Sequence, residues 1–192
     1  MSVPGLILAA GESRRMGSPK PLLDFGGRNF LDTLLALFTP RCAEVIVVLG
    51  AHAERVQRET ALPARFVVNH AYQLGMITSL QAGLRAMDPA SEGVLLTLVD
   101  HPAVAPATLD ALLAEPRPLV RVPRRGDQRG HPIWFAASLA AEFLALGPEQ
   151  AARDVIRAHA VESEFLDVDN DPGILADIDS PQDYARLLGQ QP

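Results

Sequence analysis

The sequence predicts a three-layer α/β/α fold on a mostly parallel sheet, and three observations carry that expectation. Short apolar or β-branched runs recur at 3–9, 44–50, 64–69 and 93–100, each reading as a strand. Between and after them, 29–38, 51–59, 75–87 and 106–115 show helical spacing of apolar residues or a polar helical face. Strand and helix thus alternate through the first 115 residues, the pattern of consecutive crossover units with helices on both faces of a sheet.

The first run, 3–9, leads into Ala10 and Gly11 as a buried strand feeding a tight turn. "NFLDTLLALF" (29–38) places its apolar residues on one helical face, and "EVIVVLG" (44–50) is β-branched and ends in glycine, as a central parallel strand does. "AHAERVQRE" (51–59) reads as a polar-faced helix and "ARFVVN" (64–69) as the third strand. "GMITSLQAGLRAM" (75–87) is amphipathic, "GVLLTLVD" (93–100) is a fourth buried strand, and "PATLDALLAE" (106–115) is a helix with proline near its start. The alternation then loosens. "PLVRVPRRGDQRGHPIWF" (118–135) reads as two strands joined by an Arg/Gly-rich turn, followed by short helices at 136–146 and 149–158. The acidic strand "ESEFLDVD", the irregular "NDPGILADIDS" and a last helix from Pro181 complete the chain. No repeat, low-complexity tract or long linker divides it, so one domain spanning 1–192 is expected.

Composition narrows the function classes. With 192 residues and 48% apolar content the chain has enough for one real core, and disorder is excluded. A formal charge of −6 argues against broad, non-specific nucleic-acid binding, so any anion site has to be local. No apolar run approaches the roughly 20 residues of a membrane span, and "MSVPGLILAAGE" has neither the basic start nor the cleavage pattern of a secretory signal, so a cytoplasmic location is expected. Cys42 is the sole cysteine, which rules out an intrachain disulfide and reads as a small buried apolar residue. The five histidines are scattered, without the spacing of a zinc site. Of 17 basic residues only Lys20 is a lysine, and it sits in the loop that follows the first strand.

That loop, "AAGESRRMGSPK", carries the main chemical signal. Open α/β sheets bind ligands beyond the carboxyl ends of their strands. Ala9, Ala10 and Gly11 let the backbone pass close to a ligand, and exposed N–H groups in such a turn cradle anionic oxygens. Arg14, Arg15 and Lys20 add three positive charges, a combination suited to a polyphosphate. Five residues separate Gly11 from Gly17 and Lys20 comes three later, which fits neither a Walker A loop nor a Gly-x-Gly-x-x-Gly dinucleotide turn.

Carboxylates supply the opposite charge. Asp100 ends an apolar strand, where it would face the crevice and hold Mg²⁺ between phosphates. Asp177 and Asp179 alternate in "DIDS", so in an extended segment they point the same way; Asp179 is the candidate second metal ligand, with capping of the last helix as its plain alternative. His101 reads equally as an exposed turn residue or a ligand contact, and Asn69 and His70 receive no role. Gly75, Met76 and Ser79 open a helix whose start favours an anion. Arg124, Arg125, Arg129 and His131 lie in a turn expected to overhang the same crevice, the bland alternative being a solvated hairpin. "DVDNDPG" is not a calcium loop, because Pro172 and Ile178 stand where glycine and glutamate are needed.

"LAAGESRRMGSPKPLL" closely resembles the signature of the MobA-like NTP transferases, nucleotidyltransferases acting on molybdopterin, and "GMITSL", "LVDHP", "RGHPIWF" and "DIDSPQDY" are similar to that family's later blocks, in the same order. The resemblance implies a Rossmann-like nucleotidyltransferase that joins a nucleoside monophosphate to the phosphate of molybdopterin or the molybdenum cofactor and releases pyrophosphate. It implies Mg²⁺ at Asp100, with Asp179, and catalytic roles for Lys20 near the α-phosphate, Arg15 at the leaving phosphates and Asp100. Leu8, Ala9, Ala10, Gly11, Arg14, Arg15, Lys20, Ser79 and His131 form the expected binding set. The cytidylyl branch tends to Leu-Ala-Ala-Gly and the guanylyl branch to Leu-Ala-Gly-Gly; Leu8–Gly11 reads as the former, which favours CTP over GTP. Val99-Asp100-His101-Pro102 departs from the Gly-Asp-Gln-Pro of many cytidylyl relatives, which loosens the base assignment. Expected partners are the nucleotide, the pterin cofactor and a molybdoenzyme or its maturation chaperone. The alternatives are guanylyl transfer to the same acceptor, transfer to a sugar-1-phosphate or other small phosphate, and a non-catalytic protein that delivers the cofactor.

Overall fold

The structure is a computed structural model in which residues 2–189 are described. The strands are β1 (Gly5–Ala9), β2 (Asp24–Phe25), β3 (Arg28–Asn29), β4 (Val45–Leu49), β5 (Arg65–Val68), β6 (Gly93–Leu98), β7 (Val120–Arg125), β8 (Gln128–Arg129), β9 (Ile133–Ala136) and β10 (Ser163–Asp167). The helices are α1 (Phe30–Phe38), α2 (Ala53–Glu59), α3 (Met76–Ala86), α4 (Pro106–Leu113), α5 (Ala140–Ala145), α6 (Ala152–Ala158) and α7 (Pro181–Gly189). None of these is long and apolar enough to cross a membrane.

The main sheet runs β10-β7-β9-β6-β1-β4-β5, with β8 on β7; β2 and β3 form a separate hairpin. β1 pairs in parallel with β4 and β6, β4 with β5, and β7 with β10. The expected pair of strands in 118–135 forms, and β9 inserts antiparallel between β7 and β6. Alternation along each strand divides the core. Ile7 and Ala9 of β1 with Val45, Val47 and Leu49 of β4 face α1, α2, α4 and α7. Leu6 and Leu8 with Ile46 and Val48 face α3, α5 and α6. A side-chain period of two buries both faces of the same strand, which is why these segments read as continuous apolar runs.

Local chemistry fixes the helix ends that position the carboxyl edge of the sheet. Asn29 caps α1, its side chain accepting from the Asp32 N–H at 2.6 Å, and buried Asp32 accepts from the Ala61 and Leu62 N–H groups. Buried Arg121 on β7 donates to the carbonyls of Ala111, Leu112, Ala114 and Pro116, gathering the end of α4, and pairs with Glu164 of β10. Cys42 is partly buried against the core, and burial pushes its thiol up to about 12, so it behaves as an apolar filler. In "DVDNDPG" the purpose of Asp171 is structural. It is 5% exposed and accepts from the Ala105 N–H at 2.9 Å, the Thr108 hydroxyl at 2.5 Å and the Gly173 N–H at 3.0 Å, tying the C-terminal segment to the start of α4. Asp171→Ala leaves three donors without a partner and is expected to destabilise the fold by about 2–4 kcal/mol, read from urea unfolding midpoints.

Candidate active site

The site forms where the parallel strands end. β1 runs into Ala10 and Gly11, β4 into Gly50, and β6 into Val99 and Asp100. The Ala10 carbonyl accepts from the Ala51 N–H at 3.1 Å, and a Cβ on Gly50 would lie 2.7 Å from both that oxygen and the Tyr72 ring, so only glycine permits this approach. Arg14–Met16 and Lys20–Leu22 are single helical turns, and Ser13 and Gly17 bracket the first with φ of 53° and 67°. The Ser13 hydroxyl accepts from the Lys20 N–H at 2.8 Å and closes the loop on itself.

This folding brings Lys20 against the carboxylates. Its Nζ lies 3.1 Å from Asp100 Oδ2 and 2.5 Å from Asp179 Oδ1, while Arg15 reaches the other Asp179 oxygen at 3.2 Å. Burial works against the Lys20 charge, but the two facing carboxylates outweigh it and hold its pKa above the ordinary value. The Lys20 hydrogen bond, with both cations beside it, holds Asp179 below the usual range. Asp177 and Asp179 do point the same way, with Ile178 buried between them. Oxygens of Asp100, Asp177 and Asp179 all lie within 4.8 Å of one another. Partial burial, then the charges of Asp100 and Asp179, push Asp177 up to about 6. Asp100 Oδ1 is buried and has no hydrogen-bond partner among the described residues. Three oxygen ligands, one of them with an unused lone pair, fit a hard divalent cation.

Two clefts open around this cluster. The larger, about 640 Å³, is lined by Gly11–Met16, Lys20, Tyr72, Gln73 and Asp179. A narrower one, about 210 Å³, runs between Leu8–Gly11 and Val99–Asp100 and also meets Lys20, Met76 and Ser79. Leu8, Ala9, Ala10, Gly11, Arg14, Arg15, Lys20, Ser79, Asp100 and Asp179 therefore lie together. Within this set Arg14 is turned to Glu12, and Ser79 is buried and accepts from Asn69 Nδ2 at 3.0 Å, so Asn69 locks the start of α3 to the end of β5.

Of the Arg-rich turn, Arg129 and His131 line a third cavity that shares Leu8, Met76 and Leu98 with the narrow cleft, while Arg124 and Arg125 are held elsewhere. Arg124 is paired with Asp167 and Arg125 donates to the Asp169 carbonyl. His131 is drawn inward, its N–H bonded to the Ile174 carbonyl and its ring 5.1 Å from that of His101; it lines a separate cavity rather than the cleft of Lys20. Burial first, and then the neighbouring His101, pushes His131 down to about 4, so the imidazole is neutral at pH 7. His101 is 5% exposed, which corrects the exposed-turn expectation. Three cleft residues carry no sequence signal of their own: Glu12, an acid inside a loop whose charge pattern is basic, and Tyr72 and Gln73, in a segment with no motif; Asp177 ranks below Asp179 by sequence although its alternation with Asp179 places it on the same face.

Known proteins agree with this architecture. The chain is 33% identical to nicotine blue oxidoreductase of Paenarthrobacter nicotinovorans, over 97% of its length and 96% of that protein. It is 37% identical to the probable molybdenum cofactor guanylyltransferase of Chloroflexus aggregans over 60% of this chain and 54% of that one. The crystal structure of Rv0371c from Mycobacterium tuberculosis H37Rv superposes with a TM-score of 0.87 at 30% identity, covering 99% of each chain, and a second structure of that protein is a complex with manganese, with a TM-score of 0.85 at 29% identity over 100% of both. The description of the MobA-like NTP transferase domain matches residues 5–163, spanning the loop of Lys20, the strand of Asp100 and the Arg-rich hairpin. With most of its length so matched, the chain belongs to the MobA-like NTP transferase family.

Proposed function

We propose that the protein transfers CMP from CTP to the phosphate of the molybdenum cofactor or molybdopterin, with Mg²⁺ and release of pyrophosphate. The observation that carries this reading is the contact of Lys20 with Asp100 and Asp179 at the mouth of the cleft formed by the first loop. Guanylyl transfer to the same acceptor is the nearest alternative, and the guanylyltransferase name of one relative keeps it in view.

The chemistry is charge management. An acceptor phosphate oxygen forms a bond to the α-phosphorus, the bond to the bridging oxygen of the β-phosphate breaks, and pyrophosphate leaves with that electron pair. The nucleophile is already ionised, so no general base is needed; positioning and electrostatics carry the step. Asp100, with Asp177 and Asp179, would hold the divalent cation, which when bound neutralises phosphate oxygens. Lys20 transfers its ammonium from the carboxylates to the α-phosphate, and Arg15 releases Asp179 to meet the leaving phosphates. The backbone of Ala10–Gly11 borders base and ribose, where the Ala10 methyl narrows the space for a purine.

Three outcomes test the reading. Asp100→Asn lowers pyrophosphate release from CTP and the pterin acceptor by roughly 100-fold or more while nucleotide binding persists; undiminished release removes the assignment. Ala10→Gly shifts the GTP/CTP ratio of kcat/KM toward GTP by about tenfold, measured with both nucleotides in competition. Lys20→Met frees the carboxylates of their internal cation, so Mn²⁺ binds the nucleotide-free protein roughly tenfold more tightly by electron paramagnetic resonance, although turnover falls.

A further inference from the structure

The larger cleft carries its own counter-ions. Its lining holds three cations, Arg14, Arg15 and Lys20, and two anions, Glu12 and Asp179. Every one of the cations is already paired: Arg14 with Glu12, Arg15 with Asp179, and Lys20 with Asp179 and the adjoining Asp100. Asp100 and Asp179 belong to the carboxylate cluster that fits a divalent cation, whereas Glu12 lies outside it. The transfer chemistry makes no use of the Glu12 charge, and a carboxylate in a cleft for a triphosphate repels the ligand.

Glu12 is engaged on both oxygens. Oε2 takes the Arg14 guanidinium, and Oε1 accepts from Gln73 Nε2 at 3.4 Å. The carboxylate thereby links the loop after β1 to the turn after β5, both of which line the cleft. Within the pair Glu12 is the more enclosed member, its side chain 25% exposed against 82% for Arg14.

We propose that Glu12 and Asp179 are internal stand-ins for phosphate groups: they neutralise the loop while it is empty, and a triphosphate enters by displacing them. The proposal rests on the transferase reading of this cleft. The two carboxylates then differ in fate. Asp179, released by Lys20 and Arg15, gains a new partner in the divalent cation. Glu12 gains none, so its charge stands against the nucleotide throughout and reclaims Arg14 as pyrophosphate departs. Glu12 is thus a residue that sets nucleotide affinity without serving the chemistry.

The sign of the effect separates a stand-in from a structural or metal-holding group, because removing a stand-in strengthens binding. CTP is titrated calorimetrically into the intact chain, first in EDTA and then with Mn²⁺. In EDTA the near-isosteric Glu12→Gln is expected to bind CTP about fivefold more tightly than the unaltered protein, and Asp179→Asn about tenfold more tightly. With Mn²⁺ the two part: Glu12→Gln keeps its gain, while Asp179→Asn binds more weakly than the unaltered protein because a metal ligand is gone. Glu12→Asp, which restores a carboxylate, returns toward the unaltered affinity. Metal-free binding that is unchanged, weaker or undetectable in both variants overturns the proposal, as does a gain in Glu12→Gln that Glu12→Asp retains in full. If the unaltered protein binds neither CTP nor GTP with Mn²⁺, the transferase reading itself fails; if it binds them and neither variant tightens metal-free binding, the stand-in assignment alone fails.

Discussion

A single ammonium group, that of Lys20, is held between carboxylates contributed by the end of β6 and by the segment before α7. Its side chain is 13% exposed, so the contact is not a solvated surface pair of negligible consequence. Without that cation three carboxylates within 4.8 Å would face one another in partly buried surroundings. The loop, the central strand and the C-terminal segment are therefore placed with respect to each other by charge, and the clefts exist because they are.

That arrangement depends in turn on the sheet. Parallel pairing of β4, β1 and β6 brings three carboxyl ends to one edge, and burial of both sheet faces keeps those ends from shifting. Each strand contributes backbone or a side chain at the edge: Ala10 and Gly11 after β1, Gly50 after β4, Asp100 after β6. Polar groups that do not face the cleft are consumed by structure. Asp171 caps α4, Asn69 fixes the start of α3, and Arg121 collects the carbonyls at the end of α4.

The charges of the chain fall into two populations. Most arginines are neutralised by carboxylates at the surface, pairs that contribute little to stability but blunt the local field. Of the six left over among the described residues, Arg129 on β8 and Arg153 and Arg157 on α6 line the cavity that also holds His131. At the loop the cations are themselves paired, Arg14 with Glu12 and Lys20 and Arg15 with the carboxylates of Asp100 and Asp179.

Much of this was legible in the chain itself. Alternating strand and helix patterns determine the three layers, because burial of both faces writes an unbroken apolar run. The loop of Lys20 and the strand-ending Asp100 are local features, readable from a few consecutive residues, and the alternation in "DIDS" set Asp177 and Asp179 on one face. What only the tertiary structure decided is which distant groups meet. Lys20 touches partners 80 and 159 positions away, β9 slips antiparallel between β6 and β7, and Arg124 finds Asp167 while Arg129 finds no carboxylate among the described residues. His101 and His131, polar in type and next to prolines, are drawn inside by packing that no local pattern encodes. Charge pairing and cavity shape depend on through-space distance, and a linear sequence specifies distance only once the sheet has closed around its core.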